Sequence, residues 1–282
     1  MSAHAAARGR QVRGPTALGS DPRRFLHLTA TLAVTDFKLR FFGSVLGYLW
    51  QLMRPLMLFG VLYVVFTQFV RLGTDVKDYP VVLLTSIVLF TFFVEATGGS
   101  VTSVLDRENL VRKIEFPRLV IPLSVILNAY LNLVLNFLAV FIFMLISGID
   151  VRWSWLELPL LIGALGVFAT GIALLLSALY VRFRDVKPIW EVASQIMFYG
   201  SPVLYAIESV PEETLRHAIM ANPLAAILQQ VRHAVIDPGA PSAAEAIGGA
   251  ERLLIPTALV VTVLALGLWV FKREAPRIAE EL

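Results

Sequence analysis

A chain of 282 residues that is 57% hydrophobic and only 16% charged has more apolar surface than a soluble fold of its size can bury, since soluble domains run at roughly 45–50% apolar and 25% charged residues. Lipid must be part of its solvent, and long unbroken apolar runs select helices over the short alternating segments of a membrane barrel. The formal charge is +3 and there is no cysteine, so the placement of charge says more than its sum, and disulfides, thiolate metal sites and thiol nucleophiles are excluded.

Residues 1–20 are small, polar and basic, lack the apolar core of a signal peptide, and read as a disordered cytoplasmic tail. Residues 21–43 carry too many charges to cross a membrane. On a helix, Arg24, His27, Thr31, Thr35 and Lys38 form one polar stripe, while Phe25, Leu26, Leu28, Leu32, Ala33, Phe37, Leu39 and Phe41 cover much of the rest. That pattern fits a helix lying in the membrane interface, with a short soluble helix as the alternative. Asp36 and Arg40 sit off the stripe, four residues apart, a spacing at which they could pair with each other.

Residues 44–272 hold six segments long enough to span, at roughly 20 apolar residues per crossing. They run from about Leu49 to Val70, Pro80 to Leu105, Val120 to Ile146, Leu156 to Val181, Ile189 to Ala206 and Leu253 to Phe271. Residues 273–282 form a second short cytoplasmic tail. Basic residues gather before the first span, between spans two and three (Arg107, Arg112, Lys113, Arg118), after span four (Arg182, Arg184, Lys187) and after span six (Lys272, Arg273, Arg277). Because short basic loops stay inside, both termini are read as cytoplasmic. The stretch from Glu208 to Glu251 is then external. Within it Ala225–Ile236 is apolar but too short to cross, so it is a candidate re-entrant segment, while DPGAPSAAEAIGG reads as a loop.

Catalytic signatures are absent: there is no P-loop, dinucleotide fingerprint, zincin motif or nucleophile elbow, and the four histidines show no ligand spacing. The chain is therefore read as a non-enzyme without cofactor, metal or nucleic-acid partner. Among ionisable residues within spans, Glu95 in FFVEATGGS stands out. It can couple protons or touch a polar substrate, or it can hydrogen-bond to a neighbouring helix. Arg54 lies near the start of span one, where it can snorkel or meet phosphate. Tyr63, Phe66 and Tyr199 either anchor and pack their helices or line a path for sugars. The loop DRENLVRKIEFPRLVIP suits a short amphipathic helix docking on a partner, or a solvated connection that only sets topology. YVRFRDVKPIWEV offers the same two readings, with Asp185 expected among Arg182, Arg184 and Lys187 in a local charge network.

Four stretches, in order, resemble one family. FFGSVLGYLWQLMRPLMLF (41–59), LVRKIEFPRLVIPLS (110–124), RDVKPIWEVASQIMFYGSPVLY (184–205) and NPLAAILQQVR (222–232) are similar to motifs of type-2 ABC permeases that export O-antigen, teichoic acid, galactan and related envelope polysaccharides. The resemblance implies an all-α membrane fold of six spans per subunit, an interfacial N-terminal helix and external gate helices. It implies a homodimer in the bacterial cytoplasmic membrane with two copies of a separate ATPase that holds ATP and Mg. It makes Glu108–Arg118, with Glu108, Leu110, Arg112, Lys113, Glu115 and Phe116, the principal coupling helix, and Arg184 and Asp185 a second contact. The cargo would be a polyprenyl-diphosphate-linked glycan, with Arg40 and Arg54 suited to the diphosphate and Tyr63, Phe66, Glu95 and Tyr199 as pathway residues. A small-molecule efflux permease on the same fold is the alternative.

Overall fold

The computed structural model describes residues 21–41, 47, 49–70, 76–113 and 116–275. All regular structure among them is helical. Helix α1 spans Pro22–Phe41, α2 Leu49–Val64 with a π-helical turn to Phe69, α3 Tyr79–Val101, α4 Ser103–Asp106, α5 Glu108–Lys113 and α6 Val120–Ile146. Then come α7 Glu157–Arg182, α8 Val186–Gly200, α9 Glu213–Met220, α10 Pro223–Val231 with a π-helical turn to Ile236, α11 Ala243–Ile247 and α12 Leu254–Glu274. The predicted tail 1–20 lies outside the described residues.

Among the described residues five helical stretches are long and apolar enough to cross a membrane: Leu49–Phe69, Tyr79–Val101, Val120–Ile146, Trp153–Arg182 and Ala250–Ala275. Each falls within a few residues of a predicted span. The fifth predicted span differs. Helix α8 has 15 residues, which at about 1.5 Å per residue covers roughly 22 Å of a hydrocarbon core about 30 Å thick. The chain leaves the helix at Ser201, and residues 201–204 and 206 are buried. Tyr79 Oη donates to Leu204 O at 2.8 Å, closing one backbone carbonyl of that turn.

Helix α3 is the hub. It is buried over most of its length and packs against α2, α6, α7 and α8. By contrast, α2 and α12 have few buried side chains, as helices facing lipid or a neighbouring subunit do. Two clusters seal the ends. Val104, Leu119, Ile121, Leu174, Ala178, Val181 and Phe271 close the end that carries α4, α5 and the basic loops, hereafter the basic end. Ile207, Met220, Ala225, Ala243, Ala246 and Ile247 close the opposite end around α9, α10 and α11.

At that opposite end the segment read as re-entrant is helical from Pro223 to Ile236 and mostly buried. Asn222 caps its start by accepting from Leu224 N. Its last carbonyls would be orphans, and in an apolar setting an unpaired carbonyl costs several kcal/mol. Three side chains meet them: Ser154 donates to Ala234 O, Trp155 Nε1 to Val235 O at 3.0 Å, and Arg152 to Ile236 O at 3.2 Å. The loop expected over 237–249 contains a helix. Ser242 and Glu245 form a reciprocal capping box that starts α11, and the hydrogen bonds from Ser242 hold the Glu245 carboxyl below its usual range.

Helices α7 and α12 cross in backbone contact. A Cβ at Gly267 would sit 2.2 Å from Gly171 O, and one at Gly171 would sit 2.7 Å from Leu264 N. Small residues allow such approach where no hydrophobic force separates helix from lipid. Gly267→Val must therefore push the helices apart, and is expected to cost about 1–3 kcal/mol or more. Thermal unfolding in detergent checks this, with Gly163→Ala, which meets nothing within 4 Å, as the control that stays unchanged.

Candidate functional site

A polar chamber opens between α1, α3–α4 and α6 at the basic end. Each wall is a row of residues spaced to share one helix face. Helix α1 supplies Asp36 and Arg40, α3 and α4 supply Glu95, Gly99, Ser103 and Asp106, and α6 supplies Val125, Asn128 and Asn132, with Arg107 just after α4. The chamber encloses about 310 Å³. Counting about 1.5 Å per residue along the helices, Glu95 lies about 16 Å in from Asp106, close to mid-bilayer depth.

Glu95 ties three helices at the chamber's inner end. Gln51 Nε2 on α2 donates to Oε1 at 3.0 Å, and Asn132 Nδ2 on α6 donates to Oε2 at 2.9 Å. These two amide hydrogen bonds fix the half-buried Glu95 carboxyl group between the helices. Neither donor was singled out in the sequence. The signal was there in Asn128, Asn132 and Asn136, which repeat every four residues along an otherwise apolar span and so share one buried face.

At the outer end Asp36 pairs with Arg107, not with Arg40 as its sequence spacing suggested. Arg107 also donates to Ser124 Oγ at 3.3 Å, and Asn128 Nδ2 donates to Ala33 O at 3.2 Å. Phe25, Leu28, Thr29, Leu32, Ala33, Asp36 and Phe37 form the face of α1 turned inward, while the predicted polar stripe is exposed throughout. Leu26 and Leu39, expected on the apolar face, are also exposed. Long-range pairing overrode the local one because Asp36, half-buried on the docked face of α1, meets Arg107 across the helix interface, while Arg40 one turn on is exposed at the chamber's rim.

Other expected site residues fall elsewhere. Arg54 is exposed on α2. Tyr63 and Phe66 pack on the core, Tyr63 stacking on Phe59 at 5.7 Å. Tyr199 is exposed on α8 beside Phe198. Among the described residues Asp185 forms no ion pair. Arg182 lies over the Phe183 ring at 5.3 Å and Arg184 over Tyr180 at 5.0 Å, so aromatic faces take the charges that a local network was expected to pair.

The helix expected over Glu108–Arg118 is helical over Glu108–Lys113. Glu108 and Leu110 are half-buried, and Phe116 packs on the cluster that closes the basic end. The side chains of Arg112 and Lys113, and all of Glu115, lie outside the described residues. Arg118 is the surprise. It is 2% exposed, its Nε and one terminal nitrogen have no hydrogen-bond partner, and burial lowers its pKa.

The family model described as ABC-2 type transporter matches residues 27–236, well over half of the chain. This chain belongs to that family. Among its relatives is the O-antigen export system permease protein RfbA of Myxococcus xanthus, 25% identical over 256 residues, covering 90% of this chain and 95% of the relative. The protein of the same name from Klebsiella pneumoniae is 29% identical over 202 residues, covering 71% and 77%. The polysialic acid transport protein KpsM of Escherichia coli is 23% identical over 210 residues, covering 73% and 80%. In this ABC-2 transporter the matched region holds α2 to α10, and with them the chamber and α5.

The Asp36–Arg107 pair makes a sharp prediction. Asp36→Arg and Arg107→Asp should each destabilise the docking of α1, and the double exchange should recover it. A double-mutant cycle on thermal unfolding should return a coupling of about 1 kcal/mol, and amide exchange in α1 should rise in the single variants only.

Proposed function

We propose that this chain is the permease subunit of an ATP-driven exporter that carries lipid-linked polysaccharide across a bacterial inner membrane. The observation that carries this reading is collinear similarity to polysaccharide-export permeases over most of both chains. It favours polysaccharide over the small-molecule efflux alternative. In this reading the basic end is cytoplasmic, as the excess of Arg and Lys there supports. Helix α8 with residues 201–206 is a sixth crossing completed by protein-covered backbone, and α9 to α11 are gate elements in the outer leaflet.

Energy comes from elsewhere. Two copies of a separate ATPase bind ATP and Mg and dock on the basic end of a homodimer of this chain. Helix α5 takes the first contact and the turn at Arg184 and Asp185 the second. Ile189, Val192, Ile196 and Tyr199 form an exposed apolar stripe on α8, and Met57, Val61 and Val64 form another on α2. These stripes flank the hub α3 and are the faces assigned to the subunit seam, with exposed Arg54 on the α2 stripe within reach of a diphosphate.

Arg118 fits this arrangement. A buried cation without a full set of acceptors costs free energy in the isolated chain, and an acidic group of a docked ATPase would relieve that cost. Arg118→Met is therefore expected to leave the melting temperature of the isolated chain unchanged or raised, and to weaken co-purification of the ATPase. A lowered melting temperature with normal co-purification would remove that role. Replacing Glu115 and Phe116 together is expected to uncouple ATP hydrolysis from export while the protein still inserts.

The export reading is tested by depleting the protein in its native host and measuring lipid-linked glycans. Polymer trapped on its carrier and inaccessible from outside the cell is the expected result. Unchanged glycan pools and surface polymer would sink the reading.

A further inference from the structure

The chamber at the basic end is built for a ligand that donates hydrogen bonds. Asn132 lines it, is 1% exposed, and spends its amide nitrogen on Glu95, while its Oδ1 has no partner. A buried carbonyl without a donor is costly, and native structures rarely leave one so. Around it the free valences are acceptors. Each Glu95 oxygen takes one amide and retains a further lone pair. Asn128 gives its N–H to Ala33 O, leaving its own carbonyl. Asp106 accepts from Thr102 Oγ1 at 2.8 Å through one oxygen and keeps the other.

Charge narrows the ligand. Among the described residues the lining has three carboxylates, Asp36, Glu95 and Asp106, against the two guanidiniums of Arg40 and Arg107, and Arg107 is committed to Asp36. A phosphate or diphosphate would meet net repulsion. A metal ion fits poorly, because amide N–H groups already point at both Glu95 oxygens, and no group of three metal-ligating side chains occurs among the described residues. A neutral polyhydroxyl group satisfies every condition. Its hydroxyls donate to Asn132, Glu95 and Asn128, and one accepts from Arg40. The volume of about 310 Å³ stands at the lower end of small-ligand pockets, roughly 300–1,000 Å³.

We infer that this chamber is a sugar-hydroxyl site reached from the basic end, taking one or two sugar units of the glycan, with Asn132 and Glu95 as its central acceptors. This rests on the polysaccharide reading and deepens it. It also separates two tasks, because the chamber takes the sugar and leaves the diphosphate to basic groups outside it. Among the described residues no aromatic ring lines the chamber, and hydroxyl contacts hold the sugar. Such contacts exchange water for ligand at modest net gain, which suits a cargo that must move on.

The chain has no cysteine, so Val125→Cys, on the chamber wall, reports occupancy directly. The purified full chain in nanodiscs is labelled with a small neutral methanethiosulfonate, alone or with glucose, galactose, mannose, rhamnose, N-acetylglucosamine, inorganic pyrophosphate or calcium chloride. At least one sugar is expected to slow labelling about tenfold at about ten times its dissociation constant, with pyrophosphate and calcium without effect. Asn132→Leu in the same background should label at the unprotected rate with or without sugar. Ser103→Cys, isosteric and on the opposite wall, repeats the test if the first variant folds poorly. Absence of protection by any sugar, protection by pyrophosphate or calcium, or no labelling of either cysteine overturns the site. Glycan accumulation on depletion reads export independently, so trapped glycan without sugar protection removes the chamber assignment alone.

Discussion

Bilayer hydrocarbon supplies no hydrogen bonds, and each polar group placed at depth has to find its partner within the protein. The bond pair Gln51–Glu95–Asn132 is the strongest expression of that constraint here. It fixes the relative rotation of α2, α3 and α6, because each donor reaches a different oxygen of one carboxylate. With those rotations set, the apolar faces of α3 meet α6 and α7, and the polar rows of α3 and α6 face each other across a chamber. The same constraint shapes the opposite end. The carbonyls of 234–236, exposed by the end of a helix that does not cross, are met by Ser154, Trp155 and Arg152.

From this follows a division of labour along the membrane normal. Apolar clusters close the two ends, a polar chamber penetrates from the basic end, and buried irregular backbone follows the short helix α8. Helices that pack by backbone contact, as α7 and α12 do at Gly171 and Gly267, form a rigid outer wall. Helix α1, a wall of the chamber, is fastened to the residue just before α5 by the Asp36–Arg107 pair. In the proposed reading, an ATP-driven motion arriving at α5 would in this way reach the chamber assigned to the cargo's sugar without passing through the core.

Much of this was legible in the sequence. Long apolar runs located five spans because twenty apolar residues have few other uses, and the exposed polar stripe of α1 followed from its helical spacing. Reading failed where the deciding partner lies far along the chain. Asp36 has Arg40 four residues away, and only folding brings Arg107, 71 residues on, to its other side. Glu95 is legible as an ionisable residue in a span, but its donors are neutral amides, which carry no charge signal in the sequence beyond the four-residue repeat of Asn128, Asn132 and Asn136. The S-x-x-E capping box of α11 was also present, hidden among Gly and Pro that read as a loop. Helix α8 looked long because residues 201–206 are as apolar as a helix; their burial, not their periodicity, explains that composition.

The most direct test of the account is transport itself. The chain would be purified with the ATPase that accompanies it, reconstituted in proteoliposomes, and supplied with a short polyprenyl-diphosphate-linked glycan and, separately, with amphipathic fluorescent drugs. The account predicts ATP-dependent movement of the glycan to the leaflet where an enclosed glycosidase cleaves it, with no ATP-dependent movement of the drugs. ATP-driven drug transport with a stationary glycan would contradict it.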